Sequence, residues 1–531
     1  MKSSVMLIAL ACFLGAAYAP PLSAQEESPD QQKAQKAGEA KPSEAKPGAE
    51  STAPKEETSV TDHSIRLGGQ TIPYKATAGT ILLKNEEKEP TALMGYFAYV
   101  RSDAKDPSQR PIAFIYNGGP GSSSVWQHMG AWGPRRVATT NADFTPPPPY
   151  TAGDNSNCLL DKTDMVFIDP VGTGFSHAVG KAKDKDFWGV DEDVSSIAQF
   201  IETYVSRNNR WNSAKFLIGE SYGTFRSAAL SNYLQTHAQM QFNGIVLVSS
   251  VLDLGTLSFN PGDDLPYILY LPSYAATAWY HKMLKNRPDD LDAFLADARK
   301  LAAGDYAAAL MKGSHLTDEE KSQVAAKLSD FTGLSEDYLI KADLRVNLPQ
   351  FMAELQRARG LTTGRLDSRF SGPMYDMLTE YGETDPQSDA VSGAFTGVFN
   401  NYVREELKFG QDKKYEILSE QAGQQWDWKH RGVQNFGFPG SPNTEGDLVE
   451  AIVTNPYLKV EVENGYFDLA TPFFETEYTM THLGLQKKLE DNISLKYYEA
   501  GHMMYLRDAD LARLKSNVAA FIETNEKNAA K

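Results

Sequence analysis

Between Ile112 and Ser250 the chain repeats one pattern, a short apolar run followed by a segment of helical spacing. The runs are "IAFIY" (112–116), "DMVFID" (164–169), "AKFLIG" (214–219) and "GIVLVSS" (244–250). Between them lie "DEDVSSIAQFIETYV", with Val194, Ile197, Phe200 and Ile201 on one helical face, and "FRSAALSNYLQTHA". Strands apolar on both faces are buried on both faces, and parallel neighbours need a crossover, usually a helix. The pattern therefore predicts an α/β fold built on a mostly parallel sheet. Upstream, "HSIRLGGQTIPYKATAGTILL" and "ALMGYFAYV" alternate in the manner of antiparallel strands. After Leu254 the strand texture is lost until "LKVEVENG" (458–465), which leads to "ISLKYYEAGH" and a last amphipathic segment from Asp510 to Thr524. Residues 62–254 and 435–531 thus read as two parts of one core, and 255–434 as a large helical cap or lid inserted between them.

The first residues, "MKSSVMLIALACFLGAAYAPPLSAQEES", combine Lys2, an apolar run from Val5 to Ala17 and a small residue at Ala24. This is the make-up of a signal peptide, 1–24, cleaved after Ala24. The run is short for a membrane span. Ala17-Tyr18-Ala19 is a weaker cleavage site because Pro20 follows it, and Leu10-Ala11-Cys12 only faintly resembles a lipoprotein site. Residues 25–61 are rich in Ala, Lys, Glu and Pro, with the repeat "EAKPSEAKPGAE", and too poor in apolar side chains to build a core. They read as a disordered linker. The expected destination is export, to the periplasm or beyond the cell. Net charge of −17 argues against a nucleic-acid partner. Of two cysteines, Cys12 leaves with the signal and Cys158 remains as a packed apolar residue, so no internal disulfide is expected.

Directly after the run 112–116 comes "NGGPGSSS". A glycine cluster is most often a turn, and this one lacks the Lys of a P-loop and the spacing of a dinucleotide loop. Bare backbone also lets an anion approach amide groups. Elsewhere, "KFLIG" runs into "GESYG" (219–223) and then a helical segment. G-x-S-x-G between strand and helix is the setting of a nucleophile elbow, with Ser221 at the turn. A serine needs a base, and the base an orienting acid. In α/β hydrolases these follow in the order Ser, acid, His. His430, His482 and His502 follow the insertion or close it. His502, in "YEAGHMMY", lies just past a strand, where α/β sites cluster. His482 falls in a helix and His430 near the end of the insertion. Asp468, in "VEVENGYFDLATP", follows the preceding strand. Glu461 and Glu463 lie within that strand and alternate with Val460 and Val462, facing away. The glycine loop then supplies one oxyanion donor, the Gly119 N–H, and the elbow the other, Tyr222 N–H.

Taken together, "NGGPGSSS", "FIDPVGTGFS" (167–176), "GESYG" and the pair "NGYFDLATP" and "GHMMY" resemble the serine carboxypeptidases of the S10 type, in that family's order and over nearly all of the chain past the linker. The resemblance implies an α/β-hydrolase fold, Ser221 as nucleophile, Asp468 as orienting acid, His502 as base, and Gly119 and Tyr222 as oxyanion donors. It further implies that Asn117 and Glu220 read the free C-terminal carboxylate of a peptide substrate. A Glu donates to a carboxylate only when protonated, and a neighbouring anion raises its pKa, so activity biased toward acidic pH is expected. Two positions depart from the family. Ala131, in "HMGAWGP", stands where a second carboxyl is common, and Ser122 where a Cys is common. An acyltransferase or esterase on the same scaffold, or a non-catalytic binding protein, are the alternative functions, and the intact Ser221, Asp468 and His502 oppose the last. No H-E-x-x-H pattern or His/Cys cluster suggests a metal, and no cofactor is implied.

Overall fold

The computed structural model describes residues 54–381, 384–432 and 440–528. The expected signal peptide and most of the linker lie outside the described residues. One large sheet organises the chain. Three strands open it as an antiparallel edge, β1 (Thr58–Leu67), β2 (Gln70–Lys84) and β3 (Pro90–Arg101). The fully buried strands follow as β4 (Ile112–Tyr116), β5 (Asp164–Ile168), β6 (Lys215–Glu220) and β7 (Gly244–Val248). After the insertion come β8 (Lys459–Gly465) and β9 (Ile493–Tyr498). Their spatial order is β1-β2-β3-β5-β4-β6-β7-β8-β9, parallel from β5 onward, and a two-residue strand at His177–Ala178 pairs beside β3. This is the predicted mostly parallel sheet. Its first strand starts earlier than expected. Residues 58–61, assigned above to the linker, pair with Thr77–Gly79 and Ala76 of β2. Thr58, Val60 and Asp62 point outward on an edge strand, so their polarity disguised it as spacer.

Helices cover both faces. α1 (Val190–Arg207) and α2 (Tyr222–His237) pack in one apolar layer with Phe114, Leu217 and Leu247. The inserted segment contains α3 (Leu265–Tyr280) and α4 (Pro386–Glu405), and α5 (Glu445–Thr454) leads back to the sheet. α6 (Phe473–His482) and α7 (Asp508–Asn528) complete the fold. The insertion divides between two cores. Residues from Tyr270 to Leu355 build a cluster with Phe467, Leu469 and Phe473, whereas Phe395, Phe399 and Tyr402 of α4 join the core on the face of the sheet opposite α1 and α2. Among the described residues no helix is long and apolar enough to cross a membrane.

β4 and β6 are neighbours in the sheet, yet the chain leaves them in opposite directions, from β4 to β5 and from β6 to β7. Loops diverging from adjacent parallel strands leave a crevice at the strands' carboxyl ends, where α/β sheets bind ligands. The glycine loop and the GESYG turn form the two lips of that crevice.

Candidate active site

Ser221 occupies the turn between β6 and α2 with φ of 60° and ψ of −132°. Positive φ is strained for a residue with a Cβ, and such strain is kept only where the surroundings hold it. Here the Ser221 N–H donates to Val248 O at 3.0 Å, and Thr224 returns both its N–H and its hydroxyl to Ser221 O at 2.7 Å. The flanking glycines are sterically required. A Cβ on Gly219 would stand 2.2 Å from Gly223 O, and one on Gly223 would stand 3.0 Å from Tyr116 O.

The glycine loop meets this turn directly. A Cβ on Gly118 would lie 2.4 Å from the Tyr222 nitrogen. Gly119 follows at φ of 104° and is exposed. Neither the Gly119 nor the Tyr222 N–H donates to a described residue, so both are available to an incoming oxygen. Arg226, one turn into α2 and fully buried, holds the loop from below. Its Nη1 donates to Asn117 O at 2.7 Å and its Nε to Asp193 at 2.6 Å, with the guanidinium 5.2 Å from the ring centres of both Tyr116 and Tyr222. Burial raises the Asp193 pKa and Arg226 pulls it back. Removing one partner of a buried pair leaves an uncompensated charge, so Arg226→Met is expected to cost about 3–5 kcal/mol of stability, read from urea unfolding.

The acid and base come from the far side. Asp468, fully buried, follows β8. Its Oδ1 accepts from the N–H groups of Ala470 and Thr471 at 2.8 and 3.0 Å, and its Oδ2 from the Thr471 hydroxyl at 2.8 Å. That same Oδ2 lies 2.7 Å from His502 Nδ1. The ring is thereby oriented, and Nε2 is left for another partner. The His502 backbone is also tied down, its N–H to Leu366 O at 2.7 Å and its O to the Ser249 hydroxyl at 2.8 Å. Burial lowers the His502 pKa, but the charge and hydrogen bond of Asp468, with the charge of Glu220, outweigh it, so the imidazolium is favoured.

Glu220 is buried beside the nucleophile position. Its Oε1 accepts from Tyr505 OH at 3.1 Å, and its Oε2 has no partner among the described residues. Burial pushes its pKa up to about 7, against the opposing charge of His502. Asn117 lies against Glu220 and Tyr505. Because the Asn117 Oδ1 accepts from Gln127 N–H at 3.0 Å, its amide donors are turned the other way. Ala131 is a packed residue whose carbonyl accepts from Asn155 at 2.8 Å.

The structure thus gathers Ser221, Tyr222, Gly119, Asn117 and Glu220 at one end of β4 and β6, and Asp468 with His502 at the ends of β8 and β9. The other histidines lie apart. His482 stacks on Tyr478 at the surface, and His430 bridges Asp191 and Asp447 at 2.7 and 2.9 Å. Glu461 and Glu463, expected to face away from the core, are buried, because α7 covers that face of β8. Tyr498 OH donates to Glu463 at 2.7 Å and receives from Asn517 of α7. Cys158 is buried and its thiol pushed up to about 12, which keeps it unreactive at physiological pH.

Three contributors carry no motif. Arg226 is signalled only by a charge amid apolar residues of a buried helix. Asp169 carries the glycine loop, its Oδ1 accepting from Ser124 N–H at 2.9 Å and Tyr415 OH at 3.0 Å. A strap from the insertion also borders the loop. Ile417 O accepts from Ser123 N–H and Ser419 N–H donates to Gly121 O, while Trp426 and Trp428 stand edge-on to Tyr222.

The architecture is that of an α/β hydrolase with a nucleophile-elbow turn. The chain belongs to the serine carboxypeptidase family, Peptidase_S10, whose family model matches residues 69–515. Among its relatives, serine carboxypeptidase-like 45 of Arabidopsis thaliana is 26% identical over 211 residues, 38% of this chain and 42% of that protein. The pheromone-processing carboxypeptidase KEX1 of Saccharomyces cerevisiae is 29% identical over 171 residues, 30% of this chain and 22% of that protein. The chain thus spans less than half the length of these curated relatives. The solved structure of KEX1, described as a prohormone-processing carboxypeptidase, shares the fold with a TM-score of 0.51 at 17% identity, covering 84% of this chain and 92% of that one.

Proposed function

We propose that this protein hydrolyses the C-terminal peptide bond of peptides through an acyl-enzyme on Ser221. The observation that carries the reading is the 2.7 Å Asp468–His502 pair in the fold that sets Ser221 on a strained turn. Ser221 Oγ attacks the scissile carbonyl while His502 Nε2 takes its proton. Negative charge moves to the carbonyl oxygen, where the Gly119 and Tyr222 N–H groups receive it. The intermediate collapses, the C–N bond breaks, and His502 returns the proton to the leaving amino group. Water then repeats the sequence on the acyl-enzyme and frees Ser221. Asn117 and protonated Glu220 hold the terminal carboxylate, and the cap segment 255–434, with the Trp426–Trp428 strap, shapes the choice of side chain. We read the protein as exported, on the strength of its first 24 residues.

The test is a pair of N-blocked dipeptides, one with a free C-terminal carboxylate and one amidated, assayed from acidic to neutral pH. Selective cleavage of the free acid is the expected result. Equal cleavage of both would overturn the carboxypeptidase reading. Cleavage of simple esters alone would point to the esterase or acyltransferase alternative, for which the packed Ala131 leaves room.

Glu220 sets a second expectation. Its carboxyl binds an anion only when protonated, and its pKa lies near 7. kcat/KM should therefore fall as pH rises through about 7, since the charged form repels the substrate carboxylate. In Glu220→Gln the amide donates at every pH, so the alkaline limb is expected to disappear. An alkaline limb unchanged in that variant would remove Glu220 from this role.

A further inference from the structure

The turn from Gly364 to Phe370 carries two arginines in opposite circumstances. Arg369 is nearly buried and fully paired, its Nη2 and Nε on Asp367 at 2.6 and 2.9 Å. Arg365 is exposed, and its guanidinium hydrogen-bonds no described residue. Its backbone, however, is fixed. Arg365 N–H and Leu366 N–H both donate to Asp385 Oδ2, at 2.6 and 3.0 Å. Arg365 O accepts from Leu469 N–H at 3.0 Å, one residue past Asp468, and Leu366 O accepts from His502 N–H. A Cβ on Gly501 would stand 2.4 Å from the Cβ of Asp367, so the bare backbone before His502 is what admits this turn. The free cation therefore springs from a clamped point between the acid and the base. Its field reaches both His502 and the buried Tyr270 of α3, whose ionised form it favours.

An arginine held at its root and free at its tip beside a catalytic histidine needs an anion. Resting on the carboxypeptidase reading, we propose that Arg365 binds a carboxylate of the residue leaving from the substrate. Chemistry places that group within reach. His502 must touch the leaving nitrogen to protonate it, and the terminal carboxylate is only two bonds further along the chain, within about 4 Å. Ala131 offers no carboxyl to share the work, and Glu220 is useful only while protonated. A guanidinium binds a carboxylate bidentately and without a proton to lose. The same chemistry fits an acidic side chain on the leaving residue.

The experiment compares wild type, Arg365→Gln and Arg365→Lys on two substrate pairs. One pair is N-blocked Phe-Leu as free acid and as amide. The other is N-blocked Phe-Glu and Phe-Gln, both as free acids. Thermal melts establish that the variants are folded. The acid-to-amide ratio of kcat/KM is expected to fall about tenfold in Arg365→Gln, the scale of a charged hydrogen bond, and to be largely kept in Arg365→Lys. A fall confined to the Glu-to-Gln ratio would make the side chain the anion that is read, and would uphold the charge recognition. Both ratios unchanged, even with overall rate reduced, would overturn the proposal. A wild-type acid-to-amide ratio near one would instead defeat the end-recognition reading, and the Arg365 assignment with it.

Discussion

Ser221→Ala is expected to lower kcat/KM for a free-acid dipeptide by about 10⁴-fold or more, with the fold and melting temperature kept. The alanine has the same Cβ, so it inherits the backbone held at φ of 60° and changes nothing but the nucleophile. Every group placed around it, the His502 imidazole included, would act on a missing oxygen. Ser221→Gly would be equally inactive for the same reason. It should also be more stable than Ser221→Ala by about 1 kcal/mol, because glycine tolerates positive φ. Steady-state kinetics and thermal melts on the three proteins check both statements. Retention of a tenth of the wild-type rate in Ser221→Ala would mean that another group is the nucleophile.

Gly118→Ala comes second in expected effect, although residue 118 donates nothing to the chemistry. Its Cβ would lie 2.4 Å from Tyr222 N, 2.7 Å from Gly223 N and 2.8 Å from Glu220 O. All three are backbone atoms, so no side chain can swing aside and the loop must lift off the elbow. The Gly119 and Tyr222 N–H groups would then no longer converge. Loss of one donor from an oxyanion site costs about 10²–10³ in kcat. The fall should appear in kcat and in the rate of inactivation by a phosphonate ester, which forms the same tetrahedral geometry. Gly304→Ala, a position with no atom within 4 Å of the added carbon, is the matched control and should be silent. Equal kinetics for Gly118→Ala and wild type would separate the glycine loop from the oxyanion.

The parallel half of the sheet was legible because its strands are continuous apolar runs, which few structures other than a doubly covered sheet can bury. The elbow was legible because steric demand selects glycine at 219 and 223. Asp468 and His502 followed from chain order and strand ends. What escaped has no local signature. The start of β1 was missed because an edge strand with one solvated face has the composition of a spacer. Glu461 and Glu463 were read as solvent-facing from alternation alone, but alternation cannot tell that a helix at the chain's end will cover the polar face. Arg226, Asp169 and Arg365 act through partners 33 to more than 240 residues away or through a turn whose neighbours are set by the fold. Separations of that size leave no periodicity to read. The division of the insertion between two cores is hidden for the same reason.

The end of β7 serves several masters. Val248 O holds Ser221, Ser249 N–H donates to Glu463 O on β8, and the Ser249 hydroxyl holds the carbonyl of His502. Immediately beyond it, the chain departs into the long insertion. The strand end works as a keystone, locking nucleophile and base to each other before the cap begins. Such a joint separates two kinds of change. The cap can be lengthened, trimmed or exchanged without disturbing the spacing of the reacting groups, while a shift of one residue at 248–249 would unseat them all. A protein so built can acquire new tastes in substrate while keeping one chemistry. For the engineer, the place to graft a foreign cap is after Thr224's partner Val251, whose N–H and O both close on the Thr224 hydroxyl and mark the boundary of the fixed part.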